Sequence, residues 1–292
     1  MSRFQLLSDE QWALIADLLP SSAGRPGRPF ADARTMVEGI IYRYRCGIAW
    51  RDLPDVYGPW QTVWRWHRRM AGDGVWDRVQ ARLHEHAQQR GLVHWDVSVD
   101  STIARAHQHA TNVTRRKRAS SNYKNLLTEP IDHTVGRSRG GLSTKTHQLV
   151  DGHGLPLVTI CTAGQDGDSP MFIPLLEQLR IGRRTRPDAA LGDKAYSSRA
   201  NRGYLRARRV TTVIAQPADQ QANRKRRGSR GGRPENFDAA RYRGRNVIER
   251  GYCRLKQWRG LATRYDKLAI VYRAAVVLNG VIAWLNHLRD TP

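Results

Sequence analysis

Apolar positions along this chain recur first at helical spacing, then at strand spacing, then in alternation between the two. Ser8 followed by Gln11 has the form of a capping box, and Trp12, Ile15, Leu18 and Leu19 continue one helical face until Pro20 ends it. Residues 24–29 alternate Arg with Gly and Pro and read as a stiff polar linker. Met36, Val37, Ile40, Ile41 and Tyr44 predict a second helix over about 31–46. A third begins near Pro59, a residue suited to the first helical position, and carries Trp60, Val63, Trp64, Trp66 and His67. Three short helices with a basic, aromatic last member predict a small all-α, helix-turn-helix-like unit.

From His94 the period falls to two. Trp95, Val97 and Val99 alternate with Asp96, Ser98 and Asp100, which predicts a strand ending in an acid. The basic stretch that follows has no apolar period and reads as loop. Strands over 142–150 and 155–162, joined by Asp151, Gly152, His153 and Gly154, predict a hairpin. A helix over 169–179, a short strand ending at Gly192 and Asp193, a helix over 197–208 and a strand over 210–215 come next. A Gly- and Arg-rich loop then leads into a helix carrying Glu249. This order predicts an α/β fold, a mixed sheet flanked by helices, in a catalytic unit over 91–292 preceded by the helical unit over 1–90. Basic loops fall near 105–141 and 217–236. The apolar run 268–288 is broken by Arg273, Asn279 and His287, so it reads as a packing helix rather than a membrane span.

Charge narrows the partner. Forty-nine Lys and Arg against 26 Asp and Glu give +23, spread over the whole length, and such a surface attracts polyanions. Nucleic acid is the expected partner; anionic membrane is the alternative, but no basic amphipathic helix with a strongly apolar face stands out. Cys46, Cys161 and Cys253 have neither metal nor disulfide spacing, which fits reduced thiols inside a cell.

Against that basic background a few acids stand out. Asp100 and Asp193 each close a predicted strand, and Glu249 projects from a helix able to pack beside the sheet. Carboxylates converging in this way are hard oxygen ligands suited to Mg²⁺. Tyr242, Arg245, Glu249 and Lys256, separated by two, three and six residues, fall within roughly 60° of one another on an ideal helix. Alone, Arg245 and Glu249 are an ordinary surface pair at i, i+4. Asp96 shares the parity of Asp100 and is the alternative ligand. Asp166 and Asp168 flank Gly167 and read as a turn, Asp188 as a loop residue, and His107 and His109 as surface residues rather than a metal pair. Lys194 is divided between phosphate contact and plain surface.

These residues carry a resemblance. Asp100 in Val-Asp-Ser-Thr, Asp193 in Gly-Asp-Lys-Ala-Tyr and Glu249 in the Tyr-Arg-Glu-Lys spacing resemble the DDE transposases of bacterial insertion sequences, particularly the insertion-sequence-five group. The run from Gly136 to Lys145 (Gly-Arg-Ser-Arg-Gly-Gly-Leu-Ser-Thr-Lys), the run Leu-Ser-Asp-Glu-Gln-Trp at 7–12 and the run Gly-Ile-Ala-Trp-Arg-Asp-Leu-Pro at 47–54 are similar to that group as well. The resemblance implies a ribonuclease H-like catalytic domain, two Mg²⁺ or Mn²⁺ ions, and residence in a bacterial cytoplasm with the nucleoid. It implies cutting at element ends and joining of the 3′ hydroxyls to target DNA by in-line phosphoryl transfer. Asp100, Asp193 and Glu249 become the catalytic metal ligands. Tyr242, Arg245, Lys256, Lys194, Arg137, Arg139, Lys145, Arg115, Arg116 and Lys117 become DNA contacts, with Arg65, Arg68 and Arg69 on the third helix. Pairing two element ends implies a homodimer or higher oligomer on DNA. A ribonuclease H-like nuclease without strand transfer and a non-enzymatic DNA-binding regulator are the competing readings.

Overall fold

One long strand organises the sheet. In the computed structural model, which describes residues 5–21, 30–112 and 128–291, β1 (Asp96–Ala106) lies at the centre. On one side it pairs antiparallel with β3 (Gly141–Val150), whose far edge is shared by β2 (Gly136–Ser138) and β4 (Pro156–Ala163). On the other side it pairs parallel with β5 (Ala189–Gly192), followed by parallel β6 (Thr211–Ile214). A two-residue strand, β7 (Thr263–Arg264), joins the end of β1. An antiparallel meander on one side of the first strand and parallel crossovers on the other give the ribonuclease H-like sheet expected from the resemblance.

Helices fill in around it in chain order. They are α1 (Asp9–Ala13), α2 (Ala33–Cys46), α3 (Trp60–Gly72), α4 (Val75–Gln89), α5 (Gln108–Thr111), α6 (Phe172–Gln178), α7 (Arg199–Ala207), α8 (Ala218–Arg226), α9 (Ala239–Tyr242), α10 (Asn246–Gln257), α11 (Arg259–Ala262) and α12 (Ala269–Asp290). The capping box forms as the sequence predicts. Ser8 accepts from the Gln11 amide and the Gln11 side chain accepts from the Ser8 amide. Gly47 ends α2 in the left-handed region at φ 68°, with Arg259 packed against it, a backbone that L side chains rarely adopt.

Four local readings change. Asp100 is not the end of β1, because β3 goes on pairing with it as far as Arg105 opposite Ser143. The basic run 136–141 is a hairpin and not a loop, since Gly141 at φ 105° closes a tight turn between β2 and β3. Part of the loop at 217–236 coils into α8. Helix α4 had no reading at all. Its buried face mixes Val75, Trp76, Val79 and Leu83 with Gln80 and His84, which blurs the apolar period.

Helix α4 lies along α12, which also meets α3 and β4, and buried residues from Leu7 to Leu288 form one continuous cluster. The helices before residue 90 are therefore built onto the sheet domain through a shared core. Trp284 is fully buried, donates from Nε1 to the Pro156 carbonyl at 2.8 Å, and meets the His84 ring at 5.0 Å. Helix α12 is long and apolar enough to cross a membrane by length and composition, yet its apolar residues are used here as core. A polar bridge ties the same units. The Tyr44 hydroxyl donates to Asp266 at 3.0 Å and meets His67 Nε2 at 3.0 Å.

Burial pushes the imidazoles of His67, His84 and His147 down to about 4. An unfolded chain takes up those protons near pH 6.5, whereas the native state refuses them until about pH 4. Their contribution to stability is thus complete above pH 6.5 and is lost as pH falls toward 4, by about 1.4 kcal/mol per unit for each ring at most. Urea midpoints measured from pH 7 to 4.5 are expected to fall less steeply for His84→Gln than for the wild type. Equal slopes would remove His84 from this account.

Candidate active site

Parallel strand β5 stops opposite Val99, where Gly192 is its last paired residue, and the next residue on each of the two segments is an acid, Asp100 and Asp193. Beyond that point β1 continues without β5. The Asp100 carbonyl accepts the hydroxyl of Tyr252 at 2.6 Å, which fastens α10 to the strand at this notch. Asp193 turns the chain into a 3₁₀ helix, Lys194–Tyr196, by accepting the Ala195 amide at 2.9 Å. Asp100 Oδ1 accepts the amide of Ser101 at 2.8 Å.

The third acid arrives on α10. The guanidinium of Arg245 donates from one nitrogen both to Asp100 Oδ2 and to Glu249 Oε1, the latter at 3.3 Å. Asp100 and Arg245 side chains are only 15% and 14% exposed, and Glu249 is 53% exposed. Burial raises Asp100 to about 6, and Glu249 and Asp193 add to the rise while Arg245 and the Ser101 amide oppose it. For Arg245, burial alone would lower the value, but Asp100, Tyr242, Glu249 and Asp193 outweigh it and hold the guanidinium above its ordinary range. One cation thus stands amid three carboxylates.

The helix carrying Glu249 is less regular than its spacing predicts. A 3₁₀ turn, Arg243–Arg245, separates α9 from α10, so Tyr242 leaves the ideal wedge. Its ring packs on Ala189, Leu191 and Val213 and meets Phe237 at 5.1 Å. Lys256 is exposed two turns along from Glu249 on α10, and Lys194 is exposed beside Asp193. Arg137 and Arg139, with Arg105, line an open basin of about 650 Å³ at the β2–β3 edge. Arg65 is exposed on α3, Arg68 lies over the Trp64 ring at 5.5 Å, and Arg69 lies over Phe30 at 5.0 Å. Arg115, Arg116, Lys117 and the linker 24–29 lie outside the described residues. Lys145 departs from its expected role. It is buried, and its ammonium binds the Asp166 carbonyl at 2.7 Å and Asp168 at 3.0 Å.

The alternatives resolve by their partners. Asp96 is held by both arms of Arg241, at 2.6 and 2.7 Å, and Asp188 by Arg184 at 2.6 Å. His107 caps α5 and stacks on Tyr265 at 4.8 Å. Asp166 closes its turn on the Ala163 amide at 3.2 Å. Tyr252 was not among the expected site residues, since it lies with Val247, Ile248 and Leu255 on the buried side of α10, where the sequence does not show that its hydroxyl reaches the Asp100 carbonyl. Asp168 reaches beyond its turn to Ser101, a contact that no local pattern announces.

A family model described as "Transposase DDE domain" matches residues 92–284, and one described as "Putative transposase of IS4/5 family" matches residues 7–80. A Brucella ovis protein with the name "Putative transposase for insertion sequence element IS6501" is 31% identical over 50% of this chain and 100% of its own length. The uncharacterized protein y4sN of Sinorhizobium fredii is 34% identical over 38% of this chain and 85% of its own. The solved structure titled "Crystal structure of the Mos1 Strand Transfer Complex" aligns over 82% of this chain and 81% of that one, with 13% identity and a TM-score of 0.27.

Proposed function

The chain belongs to the transposases with a DDE domain, and from that premise we propose that it cuts the ends of its insertion sequence and joins the freed 3′ hydroxyls to target DNA. The observation that carries the proposal is the notch where β5 stops. Asp100 and Asp193 directly follow the last β1–β5 pair, and Arg245 bonds both Asp100 and Glu249 while Tyr252 fastens α10 to β1, which supports this reading.

Divalent metal fits this site by donor chemistry, since three carboxylates offer hard oxygens to Mg²⁺ or Mn²⁺. The guanidinium among them is a stand-in cation: the pocket already holds positive charge. Among the described residues no three acids, histidines or cysteines stand close enough to grip a metal as they are. Arg245 now bridges Asp100 and Glu249 and would have to give way for these acids to close on a metal. The chemistry supplied by two ions held there is activation of a hydroxyl and stabilisation of the leaving oxygen.

The chain's own cations do the rest. Arg245, once released, would be a donor for the phosphate next to the cut, since a guanidinium makes charge-assisted hydrogen bonds to phosphate as it does to carboxylates. Lys194, exposed next to Asp193, and Lys256, exposed two turns beyond Glu249, would hold the strand on either side of the cut. Arg65, Arg68 and Arg69 on α3 and the basin of Arg137 and Arg139 supply backbone contacts further out. Two copies acting together would hold two ends.

Incubating the protein with the DNA that flanks its coding region, with and without Mg²⁺, tests this. Metal-dependent cuts at the element ends and joined products are expected. Cuts that never yield joined products would leave a nuclease, and DNA binding without any cut would leave a regulator.

A further inference from the structure

Asp100 and Ser101 point to opposite faces of β1. His147 and Lys145 pair with Ser101 and Ile103, so these side chains share the face that Asp100 does not. Asp168 closes over them from the turn after β4. Its Oδ1 accepts from the Ser101 hydroxyl at 2.6 Å and pairs with the Lys145 ammonium at 3.0 Å. The turn itself is secured by Asp166 through the Ala163 amide, and Asp168 contributes to it only through its own carbonyl, bonded to the Met171 amide. Turn geometry thus leaves the Asp168 carboxylate unexplained. So does packing, because an ammonium with 11% of its side chain exposed is an expensive way to fill space.

Two buried polar atoms face the same acids without a hydrogen-bond partner among the described residues. One is the Tyr196 hydroxyl, on a side chain with no exposure, which sits in the combined field of Asp100, Asp168 and Asp193. The other is Nδ1 of His147, 3.8 Å from Asp168 Oδ1. Orphaned atoms of this kind mark a place built for a polar occupant.

We propose that the pair of buried Lys145 and half-buried Asp168 is part of the active site, a positioning pair that fixes Ser101 beside Asp100 and sets how tightly the acidic cluster holds a divalent cation. The proposal rests on the metal-dependent reading above. Its electrostatic consequence has opposite signs for the two partners. Without the Asp168 charge, Lys145 is an unpaired cation on the far face of β1 from Asp100, and its field through the strand repels a metal. Without Lys145, Asp168 is an uncompensated fourth carboxylate and attracts one.

Mn²⁺ titration followed by electron paramagnetic resonance, on the full chain with and without duplex carrying an element end, reads this directly. Asp168→Asn is expected to weaken Mn²⁺ binding about tenfold, Lys145→Met to tighten it, and the double variant to return within about twofold of wild type. Ser101→Ala, the mildest change, shifts in the direction of Asp168→Asn and serves if the charge variants fold poorly. DNA affinity measured without metal stays unchanged in all of them. Equal midpoints across the series, or a loss of DNA affinity in Lys145→Met, would overturn the proposal. A wild type that binds Mn²⁺ but never cuts or joins DNA would sink the transposition reading alone, leaving the pair to be judged by the midpoints. A wild type that binds no Mn²⁺ in either state sinks both.

Discussion

Glu249→Gln is expected to leave the protein folded and bound to DNA while cleavage falls by about a thousandfold or more, roughly 4 kcal/mol of barrier. The substitution keeps shape and one acceptor oxygen but removes the charge that a divalent ligand set needs. Its effect on stability is small because Glu249 is 53% exposed and its contact with Arg245 is a single bond at 3.3 Å. A single long i, i+4 contact to a half-exposed carboxylate contributes about 0.5 kcal/mol. Single-turnover cleavage, a DNA-binding isotherm and a melting curve on the same preparation separate these quantities. Cleavage within tenfold of wild type would remove Glu249 from the ligand set, and a parallel loss of DNA binding would turn it into a structural residue.

The acids were visible in sequence because each ends or begins something. Asp193 follows a short apolar strand, Asp100 closes an alternating run, and Glu249 sits on a helix with one apolar flank. The chain order of strands and helices was visible for a related reason, since strand and helix periods alternate from 142 to 215, whereas which strands pair was not. What stayed hidden depends on partners far away in the chain. Lys145 looks like one more cation in a basic run, and only the arrival of Asp168, 23 residues later, turns it inward. The length of β1 was misjudged because Thr102, Ile103, Ala104 and Arg105 do not alternate by polarity. They stay in the strand because β3 goes on pairing with them. Helix α4 escaped notice because Gln80 and His84 are buried polar residues, bonded to the Pro156 carbonyl at 2.9 and 3.1 Å. The ideal wedge from Tyr242 to Lys256 assumed one unbroken helix, and the 3₁₀ turn at Arg243–Arg245 changes the angle before Glu249 is reached.

That turn also delivers Arg245 to the acids, and its removal has the second large effect. Arg245→Met is expected to destabilise the metal-free protein by about 2 kcal/mol, less than the 3–5 kcal/mol for a fully buried pair because both partners retain some exposure. Asp100 then faces Glu249 and Asp193 with no cation between them. Its carboxyl, already raised to about 6, rises further once the favourable guanidinium is gone. A raised carboxyl contributes stability at acid pH that is lost as pH climbs through the folded value, so the deficit of the variant relative to wild type grows between pH 6 and pH 8. The buried histidines cancel in that difference, since both proteins carry them. Added Mg²⁺ or Mn²⁺ takes the place of the missing cation and stabilises by mass action. The melting temperature of Arg245→Met should therefore rise more steeply with metal than that of wild type, in which the guanidinium competes for the same carboxylates. Thermal melts across metal concentration at pH 6 and pH 8 check both signs. A deficit independent of pH and of metal would mean that Arg245 only packs against its neighbours, and that the three acids do not share a cation.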